Sequence, residues 1–125
     1  MAVNYNAALK TTRMNAVVAA IDAGAGNGNL EICTAAYALV LATIPLAKPS
    51  FTVAGAVATM AGVPRSDASA DNTGTAAVAR IKDSGGTTVV DGLTVGVGSG
   101  DVQLNSVALS QGQTVTISSG TITHG

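Results

Sequence analysis

Few side chains in this 125-residue chain are able to do chemistry, and their spacing gives them little to work with. The candidate nucleophile is Cys33, the one cysteine, set in Leu30-Glu31-Ile32-Cys33-Thr34. A thiol becomes a nucleophile where a cation or base favours the thiolate; within an alternating apolar segment it reads as an inert core thiol. The one histidine, His124, stands second from the last residue, a poor position for a general base, and alone it cannot assemble a metal site. Seven carboxylates (Asp22, Glu31, Asp67, Asp71, Asp83, Asp91 and Asp101) fall mostly at turns, where Asp is favoured for bonding the backbone. No two are spaced as an acid/base pair. The sequence reads as that of a protein that is not an enzyme, with no catalytic residue, cofactor or metal expected.

Two segments imitate binding motifs. Gly24-Ala25-Gly26-Asn27-Gly28 resembles a nucleotide-binding glycine loop, but such a loop follows a strand and opens a helix. Here the order is reversed, so the segment reads as a flexible helix-to-strand connector. Asp67-Ala68-Ser69-Ala70-Asp71-Asn72-Thr73-Gly74 has the alternate oxygen spacing of a calcium loop. It lacks the turn glycine, with Asn72 in its place, and Val78 stands where a bidentate Glu belongs. A plain solvated loop is the expectation.

The elements that would position these residues fall into an N-terminal helix or arm (1–24) and a β-sandwich domain (25–125). Met14, Val17, Val18 and Ile21 form one helical stripe, a packing surface for the sheet or for another subunit. Asn6 or Thr11 caps the start, and Gly24 suits the left-handed position past the end. Leu30–Thr34 and Ala38–Ile44 read as strands, with Pro45 and Pro49 framing a turn or an edge. Phe51–Ala54 and Ala56–Met60 form a hairpin about Gly55, and Val63–Gly74 is an exposed polar loop. Beyond it, Thr75–Lys82, Thr87–Asp91, Leu93–Val97, Val102–Leu104, Val107–Leu109, Thr114–Ser118 and Thr121–His124 are short strands between Gly, Asn, Asp and Ser turns. That spacing predicts a mainly β fold, an antiparallel β-sandwich of jelly-roll type preceded by an α-helix.

Composition narrows the partners. The net charge is −1 and the six Lys and Arg are scattered, so no basic patch for nucleic acid is expected. Ala35–Ala47 is too short, and too broken by Pro45, to span a bilayer. No signal peptide is read at the N-terminus, and the single cysteine fits a reducing cytosol. Aromatics are 2% of residues, too few and too dispersed (Tyr5, Tyr37, Phe51) for a sugar-binding platform. Ala and Gly fill 38 positions (23 and 15), so little apolar area is buried per residue. The core should be thin, an apolar patch should show on the monomer, and neighbours should add stability.

The order of elements resembles the small virion structural proteins of tailed bacteriophages. The resemblance rests on Met14–Gly24, Gly28-Asn29-Leu30-Glu31-Ile32, Ser66–Gly74, Asp83–Gly92, Leu104-Asn105-Ser106 and Gly112–Ile117. It implies a capsid decoration, or cement, protein that binds the outer surface of the major capsid protein shell across capsomer boundaries. It further implies a homo-dimer or homo-trimer, synthesised in the bacterial host cytoplasm and located on the virion. The alternatives are a tail, neck or fibre-associated structural subunit, and a receptor- or carbohydrate-binding β-module. Where an aromatic would be expected in such a strand, this chain has Ala77, Val78, Ala79 and Arg80.

Overall fold

The computed structural model describes residues 6–24, 26–47, 49–98 and 100–123. Tyr5 and His124 lie outside the described residues. Helix α1 (Ala7–Ile21) begins where the Asn6 side chain accepts a hydrogen bond from the Leu9 N–H at 2.8 Å, satisfying one of the orphan donors of the first turn. Just past its end Gly24 takes φ +92°, a conformation that costs glycine no Cβ clash.

Among the described residues eleven strands follow: β1 (Asn29–Cys33), β2 (Val40–Pro45), β3 (Phe51–Ala54), β4 (Val57–Met60), β5 (Arg65–Asp67), β6 (Gly74–Thr75), β7 (Val78–Lys82), β8 (Thr88–Gly96), β9 (Val102–Leu104), β10 (Ala108–Leu109) and β11 (Val115–Thr123). The fold is mainly β, with 45% strand against 16% helix among the described residues. One curled sheet runs β2-β1-β7-β8-β9-β11-β4-β3, with β5 also on β11, and β6 pairs β10 separately. The arrangement is β-sandwich-like; one pair, β8 with β9, runs parallel, where the sequence predicted antiparallel pairing.

Three differences from the sequence reading have local causes. Thr75–Lys82 is not one strand: Ala76 N–H bonds Val107 and Ala77 N–H bonds Cys33, so the chain leaves the small sheet and enters the large one there. Thr87–Asp91 and Leu93–Val97 are one strand, because Gly92, at φ +74°, makes a bulge rather than a break. Likewise Thr114–Ser118 and the following segment are continuous in β11, with a register shift between Ile117 and Ser119.

The largest correction concerns Val63–Gly74. Most of its residues are exposed, as expected, but it is an ordered strap rather than an irregular loop. Its first part forms β5, and it lies antiparallel along the outer edge of β2. Arg65 Nε donates to the Pro45 carbonyl (2.6 Å), Asp67 Oδ2 accepts from Thr43 N–H (3.1 Å), Asp71 N–H donates to Leu41 (2.7 Å) and Asn72 Nδ2 to Val40 (2.8 Å). Side chains here replace most of a backbone ladder, which is why a polar sequence hid a structural element. At the other end of the sheet, α1 lies along β3. Thr11 donates to the Gly55 carbonyl (2.8 Å), and the Asp22 carboxylate accepts from Ser50 N–H (3.1 and 3.2 Å). Both terminal strands thus have a neighbour along the outer edge of the sheet, one of the ways an exposed edge is blunted. Removing the Asp67 acceptor strands the Thr43 and Ser69 amides. Asp67→Ala is expected to cost about 2 kcal/mol in denaturant unfolding and to speed hydrogen exchange at Thr43.

A single apolar cluster fills the interior, from Met14, Val18 and Ile21 of the helix through Leu30, Ile32, Leu41, Ile44, Phe51 and Ile81 to Ile117 and Ile122. Large apolar side chains exposed among the described residues are Leu9, Leu39, Val63 and Val97, each on a different segment. The sequence's few large side chains are therefore spent almost entirely inside.

Candidate functional site

The densest polar constellation sits on the outer face of β1 and β7. Leu30 and Ile32 point into the core, so the intervening Glu31 points out. In β7, Ala79 and Ile81 are buried and Arg80 and Lys82 alternate with them. Antiparallel register puts Arg80 directly opposite Glu31 and Lys82 one diagonal away. Arg80 Nε lies 2.6 Å and Lys82 Nζ 3.3 Å from Glu31 Oε1. The bond to Glu31 holds the Arg80 pKa above its ordinary range. All three side chains are about a quarter exposed or less, so their mutual attraction is only partly screened.

Tyr37 covers this cluster. It stands in the single tight turn Ala35–Tyr37, where Ala36 and Tyr37 both adopt left-handed backbone (φ +58° and +57°), a conformation that non-glycine residues seldom take. The ring lies 5.3 Å below the Arg80 guanidinium carbon, a cation–π contact. Its hydroxyl accepts from the Gly92 N–H at the bulge, where Asp91 and Gly92 together face Arg80. The sequence reading missed this group. The available signal was the alternation of Glu31 in one strand and of Arg80 and Lys82 in another; only the pairing of two strands 49 residues apart joins them.

The sequence-predicted residues are placed as follows. Met14, Val18 and Ile21 are buried against the molecule's own sheet, with Val17 half-buried beside them. Gly24 and Gly28 have packing roles: a Cβ on Gly24 would meet Ser84, and one on Gly28 would meet the Lys82 and Ile21 carbonyls. In the calcium-like segment, Asp67 already accepts from Thr43 and Ser69 amides, and Ala70 is in the core. Among the described residues no three His, Cys, Asp or Glu side chains converge, and no cavity opens. No helix among them is long and apolar enough to cross a membrane. Phe51 is a core residue, and Arg80 occupies one face of the Tyr37 ring.

Cys33 is fully buried and free. Burial pushes its thiol pKa up; Arg80 pulls against the rise, Glu31 adds to it and Lys82 opposes. Because the folded thiol titrates higher than the unfolded one, its contribution to stability is present below the unfolded thiol's range and is lost as the pH rises through the folded value. A thiol reagent is expected to leave Cys33 unlabelled in the native protein at neutral pH and to modify it fully in denaturant; native labelling at the unfolded rate contradicts the burial.

Ser50 Oγ is, among the described residues, a buried side-chain oxygen without a hydrogen-bond partner. Replacing it with alanine removes an unpaired group, and Ser50→Ala is expected to be neutral or stabilising by up to about 1 kcal/mol in thermal unfolding.

The chain matches none of the protein-family models, curated proteins or solved structures with which it was compared.

Proposed function

We propose that the chain is a structural subunit of a tailed-phage virion, a capsid decoration protein that binds the outside of the major capsid shell across capsomer boundaries and stabilises it. The observation that carries this reading is the fate of the ionisable side chains. Of seven carboxylates, five are committed to the fold itself. Asp22 holds Ser50, Glu31 holds Arg80 and Lys82, Asp67 holds Thr43 and Ser69, Asp83 holds Gly85 and Thr87, and Asp101 holds Thr94. Side chains used in this way organise a rigid β body with surfaces to offer, and leave little for acid/base chemistry. The β fold and the resemblance of its sequence to virion proteins supply the context. Stabilisation would arise by mass action, from many modest contacts repeated over a lattice.

Particles carrying the protein are expected to keep their contents at higher temperature than particles lacking it, and re-addition of purified protein should restore the difference. Equal heat resistance, with no co-purification of protein and shells, rejects the proposal. Rings or stacked copies in negative-stain images would instead place the subunit in the tail or neck.

A further inference from the structure

We infer that the outer face of β1 and β7 docks an acidic side chain of the shell protein, its carboxylate taken by the free edge of the Arg80 guanidinium with Lys82 beside it. The inference rests on the reading of the chain as a shell-binding subunit, and it names the contact on this side of the junction.

Two cations converge here on one carboxylate, and on one atom of it: Arg80 Nε and Lys82 Nζ both reach Glu31 Oε1. Asp91 is exposed on the β8 bulge that faces Arg80, and among the described residues it pairs with neither cation. A guanidinium presents its donors in a flat fork that matches a carboxylate. Arg80 spends only Nε on Glu31; among the described residues Nη1 and Nη2 have no acceptor. The ion-pair cluster is thus one negative charge short, and it holds a pair of unused donors on the same cation.

Tyr37 fixes the direction of that fork. Its ring closes one side of the guanidinium, 5.3 Å from the central carbon, while Glu31 holds the Nε end. The Tyr37 hydroxyl is held in turn, accepting from Gly92 N–H and donating to the Ala79 carbonyl (3.5 Å). Ala36 and Tyr37 are the non-glycine residues with left-handed backbone among those described, and their turn adds no residue to the core. Backbone strain of this kind persists only where the surroundings impose it, and it clusters at binding sites. Here it sets the ring against Arg80.

The same turn indicates that the occupant is protein. Ala35, Ala36, Ala38 and Leu39 are exposed around Tyr37, which gives the cation an apolar margin. Arg and Tyr beside apolar surface are the residues that carry most of the binding energy between proteins. One surplus positive charge suits one carboxylate, and the planar fork binds it through two parallel bonds. Nucleic acid asks for clustered cations, and the remaining Lys and Arg lie on other segments.

Nuclear magnetic resonance of isotope-labelled protein titrated with acetyl-Leu-Glu-Leu-amide, from about 0.1 mM to about 20 mM, tests the contact by itself, the range being set for one partly screened ion pair. The Arg80 Nε–H and Gly92 amide signals should shift and saturate. The same peptide with Gln in place of Glu should leave them unmoved. Arg80→Lys keeps the charge but has no fork, and should bind the Glu peptide about tenfold more weakly, read at Gly92. Lys82→Gln, which removes the surplus charge and leaves the Arg80–Glu31 pair, should also weaken it. Lys10→Gln, a cation changed on α1, should behave as wild type. Circular dichroism checks that the variants fold. On particles lacking the protein, Arg80→Lys should need about tenfold more protein for half-occupancy. An absent shift with the Glu peptide, an equal response to the Gln peptide, or undiminished binding by both Arg80→Lys and Lys82→Gln overturns the inference. If wild type and Arg80→Lys coat particles equally well, the inference falls and the decoration role stands. Saturable Glu-peptide binding by protein that never coats particles does the reverse.

Discussion

Replacing Ile21 with aspartate is expected to leave the chain unfolded at ordinary temperature. Ile21 is fully buried on the face of α1 that meets the sheet, beside Met14 and Val18. An aspartate there is either an unpaired charge out of water or a protonated acid without partners, and either costs several kcal/mol. The lost isoleucine packing adds about 3 kcal/mol more. Against a total stability of roughly 5–15 kcal/mol for a small domain, the sum is disabling. Val17→Asp, half-buried, should cost about 2 kcal/mol and leave a folded protein. Ala19→Asp, exposed on the far side of the same helix, should stay within about 0.5 kcal/mol. Circular dichroism melts of the three variants check the order. An Ile21→Asp chain that melts like wild type but fails to associate would mean that the stripe serves a partner and not the core.

What the sequence revealed and what it hid divide along one physical line. Elements defined by their own residues were legible: the α1 stripe, the Asn6 cap, the Leu30/Ile32 alternation and the Gly55 hairpin all follow from local periodicity or turn chemistry. So did the Asp83–Gly86 turn, in which Asp83 Oδ1 accepts from the Gly85 and Thr87 amides and Gly86 takes φ +88°. Elements defined by distant partners were not. Arg65, Asp67 and Asn72 look like loop residues until the edge of β2 stands beside them, because their hydrogen bonds go to backbone groups 20 to 32 residues away. Glu31 and Arg80 are unremarkable in their own strands and form an ion pair only through the β1–β7 register. Glycine carried more than one meaning: Gly92 looked like a strand end and is a bulge, while Gly28, at the end of a connector read as flexible, makes a close backbone approach to the helix.

That approach gives the second large effect. Gly28 is buried where the end of β7 meets the end of α1, and its carbonyl accepts from Leu46 N–H at 2.9 Å. A Cβ added there would stand 2.8 Å from the Lys82 carbonyl oxygen, 2.9 Å from Ile21 Cγ2 and 3.0 Å from the Ile21 carbonyl oxygen. Two of these neighbours are backbone, tied into β7 and the last turn of α1, so they cannot swing away as a flexible side chain would. Relief requires moving the helix off the sheet, which opens the packing around Ile21. Gly28→Ala is therefore expected to cost about 3 kcal/mol, the upper part of the range for overpacking a tight interior. For a chain of this size that is a fall of about 12 °C in Tm. Gly28→Val, with two further methyl groups in the same space, should not accumulate as folded protein. Gly26, two residues earlier, supplies the control: its Cβ would rest 3.4 Å from Ser84 Cβ, an ordinary contact. Gly26→Ala should change stability by no more than about 1 kcal/mol, because a less flexible unfolded chain offsets any crowding. If Gly28→Ala and Gly26→Ala melt together, the helix does not sit on the sheet as closely as these distances require, and the connector is the flexible link that its glycines suggested.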